Sequence, residues 1–168
     1  MTFREKVVHT FAQRAVPTVA VAPEAYKQFD SDVEEALWFA NRDWRSITWN
    51  NWRDRYAAIF FLSPAAFAYY VQSLLCLTAE NPADSLLAAD AIIHALDRSP
   101  NTEGWDESFR GRYTHLIPAE LGCLEEWLLI LCEYPAYRSY GNAAGGPGDT
   151  FGRAIDTITL LKKEAARS

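Results

Sequence analysis

Residues 56–79 read YAAIFFLSPAAFAYYVQSLLCLTA, and no charged side chain occurs among them. An uncharged stretch of this length is enough to span a bilayer. Three features favour two buried segments of a protein core instead. Ser63-Pro64 interrupts the run, Gln72 and Ser73 add polarity, and Tyr56, Tyr69 and Tyr70 are not confined to its ends. Proline suits the first position of a helix, and Ser63 supplies the oxygen that caps one. A helix is therefore expected from Pro64 to about Thr78, closed by Asn81-Pro82.

Helical spacing continues on both sides of this stretch. Phe3, Val7, Val8, Phe11 and Ala15 mark an amphipathic helix over residues 2–15, ended by Pro17. Residues 16–30 hold two prolines and no period, so they read as a connector; Val19-Ala20-Val21 is the one strand-like piece. Asp30 or Ser31 can cap a helix that carries Val33, Leu37 and Ala40 inward, with Asp32, Glu34 and Glu35 in its first turn. Acidic groups there complement the helix dipole. A short helix is expected near 49–58.

Further along, Asp84 can cap a helix with Leu86, Leu87, Ile93 and Leu96 inward, followed by Pro100 and a loop over 99–105. A short helix is expected near 106–114. Pro118 starts a strong helix carrying Leu121, Leu124, Leu128 and Leu131, up to Tyr134-Pro135. A glycine-rich loop over 141–148 leads to a last helix capped by Asp149, with Phe151, Ile155, Ile158, Leu160 and Leu161 inward. No segment alternates with a two-residue period and nothing repeats. The expected fold is all-α: a single domain built as a compact multi-helix bundle of about six to seven helices. Composition agrees. The 168 residues are 49% hydrophobic and 23% charged, which suits one ordinary domain core and excludes wholesale disorder.

Each chemically suggestive group has a structural reading beside the functional one. Cys76, Cys123 and Cys132 lie among apolar residues without metal-ligand spacing, which predicts buried reduced thiols. The glycine-rich loop precedes a helix start, the geometry that cradles phosphates, and Arg138 and Arg153 flank it. It lacks the Gly-Lys-Ser/Thr ending of a P-loop, and Asp149 sits where phosphate would go. Asp90, His94 and Asp97 fall along one helix stripe, so an imidazole and two carboxylates are candidates for a metal or ligand site. His9 and His115 stand alone, and no Gly-x-Ser-x-Gly elbow is present. Trp38, Trp44, Trp49 and Trp52 interleave with Arg42, Arg45, Arg53 and Arg55. That pattern can stack on single-stranded nucleic acid, but Asp43 and Asp54 dilute it and the spacing suits core and helix junctions as well.

Charge is distributed unevenly. Residues 1–60 hold eight basic and eight acidic side chains, whereas 61–168 hold eight basic and fourteen acidic, which supplies the whole net charge of −6. Glu80, Asp84, Asp90, Asp97, Glu103, Asp106 and Glu107 face only Arg98 in sequence, and Glu120, Glu125, Glu126 and Glu133 follow with no base among them. Such an acidic excess argues against nucleic acid and attracts cationic partners.

Trp44, then Ile59-Phe60-Phe61-Leu62, then Ser63-Pro64-x-x-Phe67-x-Tyr69-Tyr70 resemble the signature of a bacterial all-helical family catalogued only as a domain of unknown function. That family's pattern continues with Leu-Pro-Ala, where this chain has Val71-Gln72-Ser73. A weaker echo lies in the leucine-rich segment 119–132. The resemblance implies architecture, a capped helix start whose aromatics pack on the preceding segment, and no catalytic residue. Small acidic helical proteins of this kind also resemble the immunity proteins encoded beside bacterial toxins.

The expectation is a protein-binding module that neutralises a cognate toxin with a basic surface. It would use Glu80, Asp84, Asp90, Asp97, Asp106 and Glu107, with Trp105 and Tyr113 as anchors. No catalytic residue, cofactor, metal, nucleic acid or membrane enters this reading. The opening Phe3-Arg4-Glu5-Lys6 lacks the apolar core of a signal peptide, which makes the cytoplasm the expected compartment. The alternative is a small-ligand or metal-binding helical enzyme using the Asp90, His94 and Asp97 cluster or the arginine-flanked loop. A third reading is oligomerisation through the apolar helix over 118–133.

Overall fold

The Ser63-Pro64 break is the start of the longest helix. In the computed structural model, which describes residues 1–23, 31–146 and 148–167, the Ser63 hydroxyl accepts from the amide of Ala66 at 3.2 Å and Pro64 opens a helix running to Glu80. In chain order the helices are α1 (Phe3–Thr10), α2 (Ser31–Leu37), α3 (Trp49–Asp54), α4 (Ala58–Phe61), α5 (Pro64–Glu80), α6 (Leu87–Leu96), α7 (Glu107–Tyr113), α8 (Pro118–Cys132) and α9 (Thr150–Ala165). Short 3-10 turns lie at Trp44–Ser46, Thr102–Gly104 and Pro135–Tyr140. The all-α expectation therefore holds, but the count of six to seven is short: there are nine α-helices among the described residues, seven of them seven residues or longer. Val19-Ala20-Val21 forms no strand; a single bridge joins Val21 to Leu62. No helix among the described residues is long and apolar enough to cross a membrane.

Helix α5 forms the centre. Every residue from Ala66 to Cys76 is buried, as is Thr78. Helices α1, α6, α7 and α8 and the turn at Trp44 pack around it, α9 lies on α8 and α6, and α2 lies on α4. A helix buried on all sides must satisfy its polar side chains internally, and α5 uses them to hold its neighbours. Ser73 donates to the Tyr70 carbonyl at 2.7 Å and accepts the indole N–H of Trp52 at 2.8 Å. Thr78 donates to the Leu74 carbonyl and accepts the indole N–H of Trp127, both at 2.7 Å. The Tyr70 hydroxyl donates to the carbonyls of Phe39 and Arg42.

Several boundaries differ from the sequence reading. Helix α1 stops at Thr10 because a tighter turn takes over, with the amides of Ala12 and Arg14 bonding the carbonyls of His9 and Phe11. The segment near 49–58 is two helices. Thr48 and Asn51 cap α3 reciprocally, Arg55 leaves helical geometry at φ −135° and ψ 39°, and the Glu35 carboxylate takes the amide of Ala57 at 3.2 Å ahead of α4. Asp84 caps nothing. Leu86 occupies the cap position of α6, and the Asp84 carbonyl accepts the Tyr137 hydroxyl at 3.2 Å instead. Leu86 is buried, and Leu87, about 100° further round the helix, points to solvent rather than inward. Asp149 does cap α9, accepting from Gly152 at 2.9 Å, and α7 is capped by Asp106, a role not expected from the sequence, accepting from Phe109 at 2.8 Å. The suggested Asp30 cap and residues 24–30 of the connector lie outside the described residues.

Replacing Thr78 by Val leaves the buried Trp127 indole N–H without its acceptor. We expect a loss of about 1–3 kcal/mol in urea unfolding. In the Thr78→Val background, adding Trp127→Phe should cost less than it does in the wild type, because the orphaned donor goes with the indole.

Candidate functional site

The acidic excess of residues 80–133 is dispersed in space by bases from the two ends of the chain. Arg4 of α1 pairs with Glu80 at 2.8 Å, Lys6 pairs with Glu126, and Lys162 of α9 pairs with Glu125. Arg14 grips Glu120 through both oxygens, and Glu120 also accepts the Ile117 amide at the start of α8. Glu120 is buried and belongs to the interior. Arg98 pairs with Asp106 at 2.8 Å and Arg153 with Asp97 at 2.5 Å. Within this stretch Asp84, Glu103, Glu107 and Glu133 are exposed and make no ion pair among the described residues.

The two rings expected as partner anchors are inside. Trp105 is 5% exposed and gives its indole N–H to the Ser99 carbonyl at 2.9 Å. Tyr113 is 2% exposed, stacked on Phe109 and edge-on to Phe67. They lie in the core beneath α7 and present no ring to a partner, since the amphipathic period of α7 turns Phe109 and Tyr113 to the same buried side.

The stripe of Asp90, His94 and Asp97 comes apart. Asp97 turns to α9, where the Arg153 fork and the Thr150 hydroxyl hold it; the bond to Arg153 keeps its carboxyl below the usual carboxylate range. His94 faces solvent, its ring edge-on to Tyr140 at 5.1 Å. Asp90 turns toward the bundle, hydrogen-bonded to the Tyr140 hydroxyl, and its Oδ1 is buried without a partner. Burial pushes the Asp90 carboxyl up, and burial followed by the nearby Asp90 charge pushes Tyr140 up to about 12. Among the described residues no three His, Cys, Asp or Glu side chains gather as a metal site would require.

The glycine-rich loop is already occupied by its own carboxylate. Asp149 accepts the amides of Gly152 at 2.9 Å, Gly145 at 2.6 Å and Ala143 at 3.3 Å. Burial acts to raise this carboxyl, and the three amides outweigh it and hold it below the usual range. Gly141 sits at φ +94°, where a Cβ would come within 2.3 Å of Asp149 Oδ1. Arg138 is exposed and Arg153 is tied to Asp97, so neither faces a vacant anion cradle.

The tryptophan and arginine segment contributes rings to the core and to stacking, while Arg45 and Arg53 are exposed. Trp44 and Trp52 are buried. Arg42 and Arg55 each lie over Trp38, at 3.9 and 4.3 Å from the ring centre. Cys76 and Cys123 are buried, whereas Cys132 is half-buried; all three are free, and burial raises Cys76 to about 11.

What the fold does bring together is a face between α4, α6 and α7 that the sequence reading missed. Phe60, on the four-residue α4, is 51% exposed. It separates a cleft of about 610 Å³, lined also by Phe61, Leu62, Pro64 and Glu107, from one of about 440 Å³, lined by Ala91, His94, Arg98 and Asp106. Arg112 lines both and donates to the Phe60 carbonyl. Phe60 was hidden in a run that reads as core. Arg112 did leave a signal: no carboxylate stands three or four residues from it on either side. No family model, curated protein or solved structure matches the chain.

The two half-hidden carboxyls have opposite linkage to pH. Asp149 is lowered in the folded state, so its contribution is complete above the unfolded value near ~4 and is lost as pH falls through the folded one. Asp90 is raised, so it costs stability above its folded value, and the cost vanishes below the unfolded one. In urea unfolding Asp149→Asn should lose about 1–3 kcal/mol at pH 7 and less at pH 3. Asp90→Asn should match or exceed wild-type stability at pH 7 and equal it at pH 3.

Proposed function

We propose that this protein is a protein-binding module of the immunity type, acting in the cytoplasm and neutralising a cognate toxin by covering it rather than by chemistry. The observation that carries the reading is an aromatic ring held half out of the surface between two carboxylates. Phe60 is 51% exposed, Glu107 lines the cleft on one side of it, and Asp106 lines the cleft on the other. An apolar anchor within a charged rim is the anatomy of a protein-binding hot spot. It fits an apolar pocket surrounded by Lys or Arg on the partner. Asp106 and Glu107 are the two members of the expected acidic set that stand beside this anchor. Of these two, Asp106 is paired with Arg98 at 2.8 Å, so Glu107, with no ion pair among the described residues, supplies the open charge. Glu80 and Asp97 are paired with Arg4 and Arg153 away from this face, and Asp90 faces Tyr140.

The two kinds of group have separable effects. Rim charge steers encounter, and a buried anchor sets the residence time. With a toxin whose growth inhibition is relieved by co-expression of this chain, Phe60→Ser should speed dissociation and weaken affinity about tenfold to a hundredfold. Glu107→Lys should slow association and flatten its salt dependence. Unchanged rates for the Phe60→Ser, Glu107→Lys double variant, measured by surface plasmon resonance, would overturn the placement of the contact.

A further inference from the structure

We propose that the clefts on either side of Phe60 also form a small-molecule site for an organic anion, a carboxylate or phosphate monoester with an apolar body, in which Arg112 receives the anionic head. The inference does not rest on a protein docking at this face.

Arg112 differs from the other half-buried arginines. Arg4, Arg14, Arg98, Arg110 and Arg153 each pair with a carboxylate, and Arg55 stacks on Trp38. Arg112 has no ion pair among the described residues and gives one hydrogen bond, to the Phe60 carbonyl. A guanidinium carries five N–H donors, and taking it out of water without a counter-charge is costly. Burial pushes its pKa down, and the opposing pull of the nearby Asp106 charge does not offset it. The carboxylates nearby do not serve it. Asp106 is held by Arg98 at 2.8 Å and by the Phe109 amide at 2.8 Å, and Glu107 is exposed at the rim without an ion pair among the described residues.

The space around Arg112 suits a ligand. Its two clefts, about 610 and 440 Å³, lie within the ~300–1,000 Å³ usual for small-molecule sites. Phe61, Leu62 and Pro64 offer an apolar wall on one side and Ala91 and Phe109 on the other. Arg98 also lines the smaller cleft but is paired with Asp106 at 2.8 Å, so Arg112 is the cation left for a ligand. The planar fork of arginine matches carboxylate and phosphate alike, so the head group is decided by experiment.

The test is calorimetric titration of the full chain with octanoate, octyl phosphate, octylammonium and inorganic phosphate. Octanoate or octyl phosphate should bind saturably, the tighter of the two naming the head group. Octylammonium should not bind, and inorganic phosphate should bind more weakly than octyl phosphate. Arg112→Gln should weaken anion binding at least about tenfold. Gly111→Leu keeps Arg112 and fills the larger cleft; a Cβ there would meet only Pro64 Cγ, at 3.8 Å. Because leucine favours a helix over glycine, this variant stays folded and should also lose at least about tenfold in affinity. Equal binding of octylammonium, no saturable anion binding up to about 10 mM, or wild-type affinity in folded Arg112→Gln would overturn the proposal. Where Arg112→Gln does not fold, Gly111→Leu decides, and wild-type affinity there overturns it.

Discussion

A helix with no solvent-facing side has to find every hydrogen bond inside the protein, and α5 does so at two hydroxyls. Ser73 and Thr78 each donate back to a carbonyl of their own helix and accept an indole N–H from another. Trp52 fixes α3, and Trp127 fixes α8. Hydrophobic burial supplies most of the free energy but is non-directional, so it brings helices together without setting their rotation. The two indole bonds set it, because an unmade buried bond costs more than a made one gains. Tyr70 extends the arrangement to the turn after α2, through the carbonyls of Phe39 and Arg42.

Charge follows from that packing. Seating α1 and α9 against the central helices delivers Arg4, Lys6, Arg14, Arg153 and Lys162 to the carboxylates of the acidic half. Exposed pairs of this kind contribute little to stability. Their consequence lies in the field around the molecule: a segment that is strongly acidic along the chain becomes a surface of mixed sign, and among the described residues Glu103, Glu107, Asp84 and Glu133 are the exposed acids of that segment left without an ion pair. The Arg14–Glu120 pair is different in kind, since Glu120 is buried and also accepts the first amide of α8.

Features written in local chemistry were legible in the sequence. The Ser63-Pro64 start, the Pro118 start and the Asp149 cap all depend on residues within one turn of each other, and each stands where its residues imply. What depended on tertiary choice was not legible. Leu86 and Leu87 are equally apolar, and only the packing of α6 decides which is buried. The split between α3 and α4 depends on Glu35, a residue outside the segment. Trp105 and Tyr113 resemble surface anchors when counted as aromatics, but they take part in an aromatic stack with Phe109 and Phe67 that connects residues far apart in the chain. Phe60 was misplaced for the same reason in the opposite direction.

Sequences that fold to one structure satisfy their local rules almost everywhere, and departures concentrate where a protein does something other than fold. Here the buried indoles of Trp52, Trp105 and Trp127 are bonded, most half-buried arginines are paired or stacked, and the glycine-rich loop is filled by Asp149. Against that background the exposed phenyl ring of α4 and a half-buried guanidinium of α7, without an ion pair among the described residues, meet at one face with clefts on both sides. Exposing Phe60 forgoes burial worth about 1–2 kcal/mol, and enclosing Arg112 without a counter-ion costs desolvation. Among the described residues the buried Oδ1 of Asp90 is also left without a partner, and Leu87 and Ile117 are as exposed as Phe60. What distinguishes the face at α4 and α7 is that an exposed ring and an enclosed charge stand side by side, which is why we place the proposed binding roles there.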